Sequence, residues 1–167
     1  LDGTSPGEKD PRRMLECLAA KGAAALNIIP DRNWNYSDAK VKAVKSANLK
    51  AVVETADSMN LPINIGTEMN KSGLPFTDNL DCPELSPYKN TFLKGARLMV
   101  GHTILLRYAG FSYTGKNASA EFQSVAKRND FFEKTGALPP MDEKTADVLD
   151  EMGPEKALSW FHDKIHQ

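Results

Sequence analysis

The stretch Ala23-Ala24-Ala25-Leu26-Asn27-Ile28-Ile29-Pro30-Asp31-Arg32-Asn33-Trp34-Asn35 decides the fold. An apolar run this short, closed by a proline, has the length of a strand buried on both faces. Upstream, Asp10-Pro11 reads as a cap followed by proline at the first helical position, and Met14, Leu15, Leu18 and Ala19 recur at helical spacing until Gly22. Downstream, Asp31 to Tyr36 reads as a polar and aromatic loop. Ser37 or Asp38 then caps a long helix to Met59, with Val41, Val44, Val52, Ala56 and Met59 as its apolar stripe. Lys40, Lys42, Lys45 and Lys50 lie off that stripe and form a solvated face.

The same alternation continues. Asn60-Leu61-Pro62 breaks the helix, and Ile63-Asn64-Ile65-Gly66-Thr67 reads as a second strand. Lys71 to Pro87 is irregular and holds Pro75, Pro83 and Pro87, a length of loop that is usually functional or mobile. A helix from Tyr88 closes at Gly95, and Arg97-Leu98-Met99-Val100-Gly101 is the third strand, ending in His102-Thr103. Ile104 to Phe111 reads as a short helix. Beyond Gly115 the period is helical: one helix runs from Asn117 or Ser119 to Lys134, a second starts at Asp142-Glu143, and Pro154 opens the last.

Helix and strand in alternation imply a parallel sheet. The expected fold is therefore α/β, either a small parallel sheet of about three strands or a partial (β/α) barrel, with C-terminal helices added. A whole barrel needs about 250 residues, more than this chain has. Residues 1–116 form the βα segment that carries the candidate site, and residues 117–167 a helical extension packed on it.

Composition excludes several functions. Among 167 residues, 21 Lys and Arg face 22 Asp and Glu, a net charge of −1. That balance supplies no field for a polyanion, and aromatic residues are not interleaved with basic ones, so no nucleic-acid partner is expected. No apolar run is long enough for a spanning helix, so no membrane partner is expected either. Cys17 and Cys82 make neither a disulfide framework nor a cysteine zinc site. Cys17 reads as a buried inert thiol. Asn35-Tyr36-Ser37, Asn70-Lys71-Ser72 and Asn117-Ala118-Ser119 fit the glycosylation pattern by chance, and the chain is read as cytoplasmic. Its start, Leu1-Asp2-Gly3, lacks an initiator Met and reads as cut from something longer.

The chemistry is expected where parallel strands end. The three exits carry Pro30-Asp31-Arg32-Asn33, Thr67-Glu68-Met69-Asn70 and Gly101-His102-Thr103. Asp31, Glu68 and His102 are the candidate catalytic residues. Together they suit either a divalent metal, zinc or similar, or acid–base work on a polarised substrate. Arg32, Asn33 and Asn70 are the candidate substrate-binding residues, Arg32 through its bidentate fork. Each also has a plainer use: Asp31 as a turn cap, Arg32 in a surface pair, Asn33 and Asn70 in left-handed turns. With parallel strands about 4.8 Å apart, Asp31, Glu68 and His102 are expected within about 10 Å of each other around one pocket. His162 and His166, one turn apart, read as an exposed helix face. The sequence contains no His-x-His, Gly-x-Gly-x-x-Gly, Walker loop, Gly-x-Ser-x-Gly or Cys-x-x-Cys.

These three exits, with Ala25 to Asn35 and Ile65 to Asn70, resemble the later strands of a TIM-barrel metal-dependent hydrolase of the amidohydrolase or PHP type. The resemblance implies the C-terminal portion of a barrel whose His-x-His half lies outside this chain. It implies metal-dependent hydrolysis of a small polar molecule, and pairing through open sheet edges as a homo-oligomer or with the missing N-terminal half. Two other readings stand beside it. One is a non-catalytic fragment or interaction module. The other is a metal-free phosphosugar-type barrel enzyme, with Arg32 as anion clamp and Glu68 as base.

Overall fold

Asp10 starts the first helix, α1 (Pro11–Ala20), by accepting the Arg13 backbone N–H at 3.0 Å. Gly22, at φ +95°, turns the chain out of it. The structure is a computed structural model that describes residues 3–67, 69, 72–73 and 76–166. Strand β1 covers Leu26–Ile28 only, and Ala23 to Ala25 precede it without joining the ladder. Asp31–Trp34, expected as loop, closes into a single helical turn, α2. Helix α3 (Ala39–Ser58) begins at Asp38, whose carboxylate takes the Lys40 and Val41 N–H groups at 2.8 and 3.0 Å. Strand β2 (Ile63–Ile65) returns parallel to β1 in the register Leu26↔Ile63, Asn27↔Asn64, Ile28↔Ile65.

The pleat sorts these strands by face. Leu26, Ile28 and Ile63 are buried with Leu15 of α1 and with Leu49, Val52, Val53 and Ala56 of α3. Asn27 and Asn64 stand on the other face, where their amides meet at 3.4 Å. The buried stripe of α3 therefore lies in its second half. Val41 and Val44, expected on the stripe, are exposed at 39% and 56%. Leu61, Leu85 and Phe92 complete this core. Cys82 is buried, whereas Cys17 is exposed, contrary to its expected burial.

The chain divides into two compact units, Leu1–Leu93 and Lys94–Gln167. The dividing point falls inside α4 (Lys89–Ala109), and the expected boundary at residues 116 and 117 falls inside the second unit. Helix α4 overturns the expected third strand. Arg97 to Gly101 is helical, and the helix runs unbroken through Gly95 and Gly101. The physical reason is visible in the burial. Phe92, Gly95, Leu98, Gly101, Leu105 and Ala109 are its covered positions, spaced by three and four, which is a helix face and not a strand alternation. Among the described residues the sheet thus has two strands, not about three, and two strands do not make a barrel wall. The fold is α/β, mostly helical, with a small parallel sheet.

The second unit is helical throughout. The expected helix to Lys134 is interrupted, giving α5 (Lys116–Glu121) and α6 (Val125–Gly136), with Ser124 capping α6. Asp142 caps α7 (Glu143–Met152), and Pro154 opens α8 (Pro154–Lys164). Aromatic rings fill its core: Phe132 stacks on Phe111 at 5.9 Å and meets Phe131 and Tyr113 edge-on at 5.8 and 5.2 Å. No helix among the described residues is long and apolar enough to cross a membrane.

Candidate functional site

The polar turn that follows β1 is short because Pro30 ends the strand and Asp31 immediately begins α2. Asp31 is half-buried, and its Oδ1 accepts the Asn35 amide at 2.8 Å. Its backbone N–H donates to the carboxylate of Asp78, which comes from the irregular segment after β2. Asp78 is half-buried with one oxygen, Oδ1, covered and without a protein partner. Burial pushes its carboxyl above the ordinary carboxylate value, and the charge of Asp31 adds to this, while the N–H of Asp31 opposes it.

Asn33 stands one helical step further in. It is 2% exposed, donates its amide to the Ile29 carbonyl at 2.9 Å and leaves Oδ1 covered with no donor. Trp34 likewise buries its Nε1 without an acceptor. The Trp34 ring lies beneath Lys42 Nζ, 5.3 Å from the ring centre, and Lys42 reaches Glu84 at 2.5 Å. The hydrogen bond from Lys42 holds the Glu84 carboxyl below its ordinary value. Asn33 and Trp34 of this turn, and Asp78 bound to the turn's first N–H, thus each have one covered polar atom without a protein partner. Buried polar groups without partners are uncommon, and each one asks for an explanation such as bound water or an ion.

The remaining expected residues are distributed differently. Arg32 is exposed on the same turn, and its carbonyl accepts the Tyr36 hydroxyl at 2.9 Å. Glu68 and Asn70 lie outside the described residues. His102 is not at a strand exit. It sits within α4, where its Nδ1 accepts the Tyr113 N–H at 3.2 Å and its ring lies 6.4 Å from that of Phe132. Asp31 belongs to the first unit and His102 to the second. His162, expected on an exposed face, is instead half-buried. It stacks on Phe131 at 4.3 Å with its Nε2 3.6 Å from Glu121.

Asp78 is the residue that the sequence reading did not single out. The signal available was the proline-rich segment that contains it. Among the described residues, no three His, Cys, Asp or Glu side chains come together in a way that could hold a metal ion. Asp31 and Asp78 offer two carboxylates. No family model, no curated protein and no solved structure matches this chain.

Proposed function

We propose that the exit of β1 is the working site of a hydrolase acting on a small polar substrate, with Asp31 and Asp78 as its acid–base pair. The observation that carries this reading is the set of unpartnered buried atoms around α2, namely Asp78 Oδ1, Asn33 Oδ1 and Trp34 Nε1. An unsatisfied buried donor or acceptor costs about 1–3 kcal/mol. A polar ligand admitted by a shift of this turn would partner such an atom and offset that cost on binding.

The two carboxyls suit different roles. A carboxyl held above its ordinary value keeps its proton nearer to neutral pH and can give it up, which fits Asp78 as acid. Asp31 then accepts a proton from the attacking water, whose hydroxyl goes to one product and whose proton replaces the one that Asp78 gives to the leaving group. Arg32 and Asn70 are the residues to orient the substrate. A divalent metal, if held by Asp31 and Glu68, would polarise the oxygen of the scissile group and leave Asp78 free as the acid.

The test is hydrolysis of a panel of small esters, amides and phosphomonoesters, with and without added zinc, manganese or magnesium. Asp31→Asn and Asp78→Asn should each lower turnover by about 10²–10⁴ fold, the usual share of general acid–base catalysis. Parent turnover no higher than that of an Asp31→Asn, Asp78→Asn double variant, across the panel, overturns the reading in favour of a non-catalytic interaction module.

A further inference from the structure

The second unit contains a half-open pocket of about 270 Å³, lined by Ala118, Ser119, Phe122, Ser124, Val125 and Arg128. Its one charged wall is Arg128. This guanidinium is half-buried and stacks over the Tyr113 ring, with Cζ 4.3 Å from the ring centre. Its Nη1 reaches Ser119 Oγ at a long 3.4 Å, and its Nε is covered and has no partner. Tyr113 and Ser119 are neutral, and among the described residues no carboxylate pairs with Arg128. Among the acids of this unit, Asp130 pairs with Lys134 at 2.8 Å and Glu133 with Arg97 at 3.9 Å, and Glu121 lies 3.6 Å from His162 Nε2.

A half-dehydrated guanidinium met only by neutral groups carries uncompensated positive charge. The start of α6 adds to it. Ser124 caps Lys127 N–H at 3.3 Å, and the first turn of this 12-residue helix puts the positive end of its dipole at the same place. Phe122, Val125 and Ala118 supply an apolar wall beside this charge. The volume lies just below the roughly 300–1,000 Å³ of pockets for drug-sized ligands, which sets the scale at a metabolite.

We propose that this pocket binds a small organic oxyanion, a carboxylate or phosphate on a compact apolar body, with Arg128 as its clamp and Ser119 and Ser124 as hydroxyl partners. The planar fork of Arg128 matches both anions, and its terminal N–H groups, held only by a long 3.4 Å contact to Ser119, are the donors they would take. The pocket lies wholly in the second unit. Its failure would leave the reading of the β1 exit standing, and the reverse also holds.

The experiment is calorimetric or NMR titration of the full chain at constant ionic strength with four probes: benzoate, phenyl phosphate, inorganic phosphate and benzyl alcohol. Saturable binding of benzoate or phenyl phosphate is expected, roughly tenfold tighter than inorganic phosphate or benzyl alcohol, because charge and apolar wall both contribute. The preferred aromatic probe identifies the anion as carboxylate or phosphate. Arg128→Lys should weaken binding by roughly tenfold, since an ammonium is a point charge without the fork. Val125→Trp enters the pocket from its exposed rim and should abolish binding without touching Arg128, which keeps the test valid if variants at Arg128 fold poorly. Absence of saturable binding by either aromatic anion in the millimolar range overturns the proposal. So does unchanged binding in Arg128→Gln or in Val125→Trp.

Discussion

Gly101 of α4 and Gly136 of α6 meet backbone to backbone, with room for a side chain on neither. A Cβ on Gly101 would overlap the Phe132 carbonyl oxygen and stand 3.0 Å from Gly136 N, and a Cβ on Gly136 would overlap the Arg97 carbonyl and stand 2.7 Å from Gly101 N. The obstructing atoms are backbone, which does not swing aside as a side chain does. Alanine in a helix interior is favoured over glycine by about 0.8–1.0 kcal/mol. Overpacking of a tight contact costs about 1–3 kcal/mol, so the clash should win. Gly101→Ala and Gly136→Ala are each expected to destabilise the second unit in chemical denaturation. A gain in stability for both would show that the two helices separate freely.

Asp78 predicts an unusual pH dependence. Its folded carboxyl stands above the ordinary value of 3.8, chiefly through burial. A raised folded value means that the folded state holds the proton where the unfolded chain has released it. The contribution of Asp78 is therefore complete below pH 3.8 and is lost as pH rises through the folded value. Asp78→Asn keeps an acceptor for the Asp31 N–H and removes the charge. The variant should melt higher than the parent at neutral pH and converge with it toward acid. Thermal melts across the acid range check this, and a lower melting point at neutral pH would contradict it.

Tyr113 donates its hydroxyl to Asn129 Oδ1 at 2.5 Å, both residues being buried. Tyr113→Phe preserves the ring beneath Arg128 and deletes that donor. Leaving a buried acceptor short of a partner costs about 1–3 kcal/mol, and a loss of that size is expected in urea titration. Burial also holds the phenol above its ordinary value of 10.0, with Arg128 opposing. Stability from Tyr113 is then intact below pH 10.0 and falls as pH rises through the folded value. The Phe variant should lose this alkaline dependence, and an unchanged alkaline profile would refute the assignment.

The pleat of the two-stranded sheet yields a paired prediction. Ile63 is 1% exposed against Ile28 and the α3 core, so Ile63→Ala should cost about 2–5 kcal/mol. Asn27→Ala, on the exposed face, should stay within about 0.5 kcal/mol. Comparable losses at both positions would mean that the strand register is not Leu26↔Ile63.

Sequence alone determined the features whose physics is local. Asp10, Asp38 and Asp142 each cap a helix through a backbone N–H no more than three residues ahead, so residue type and spacing suffice to place the start. Leu26 to Ile28 and Ile63 to Ile65 were legible as strands because prolines and asparagines bound short apolar runs. Asp31 and Asn33 were legible as site candidates because they follow the first of these runs directly. Leu98-Met99-Val100 was not, since an apolar run of that length fits a strand or a helix equally well. The choice came from a partner distant in sequence: Gly101 meets Gly136, and the face spaced by threes and fours from Phe92 to Ala109 is the one covered. With that choice His102 moved from a strand exit to a helix, where it holds the Tyr113 backbone. Tertiary structure alone set Asp78 against Asp31 and Arg128 over Tyr113. Charge, burial and missing partners are properties of neighbours, and neighbours far apart along the chain are chosen only when the whole core packs.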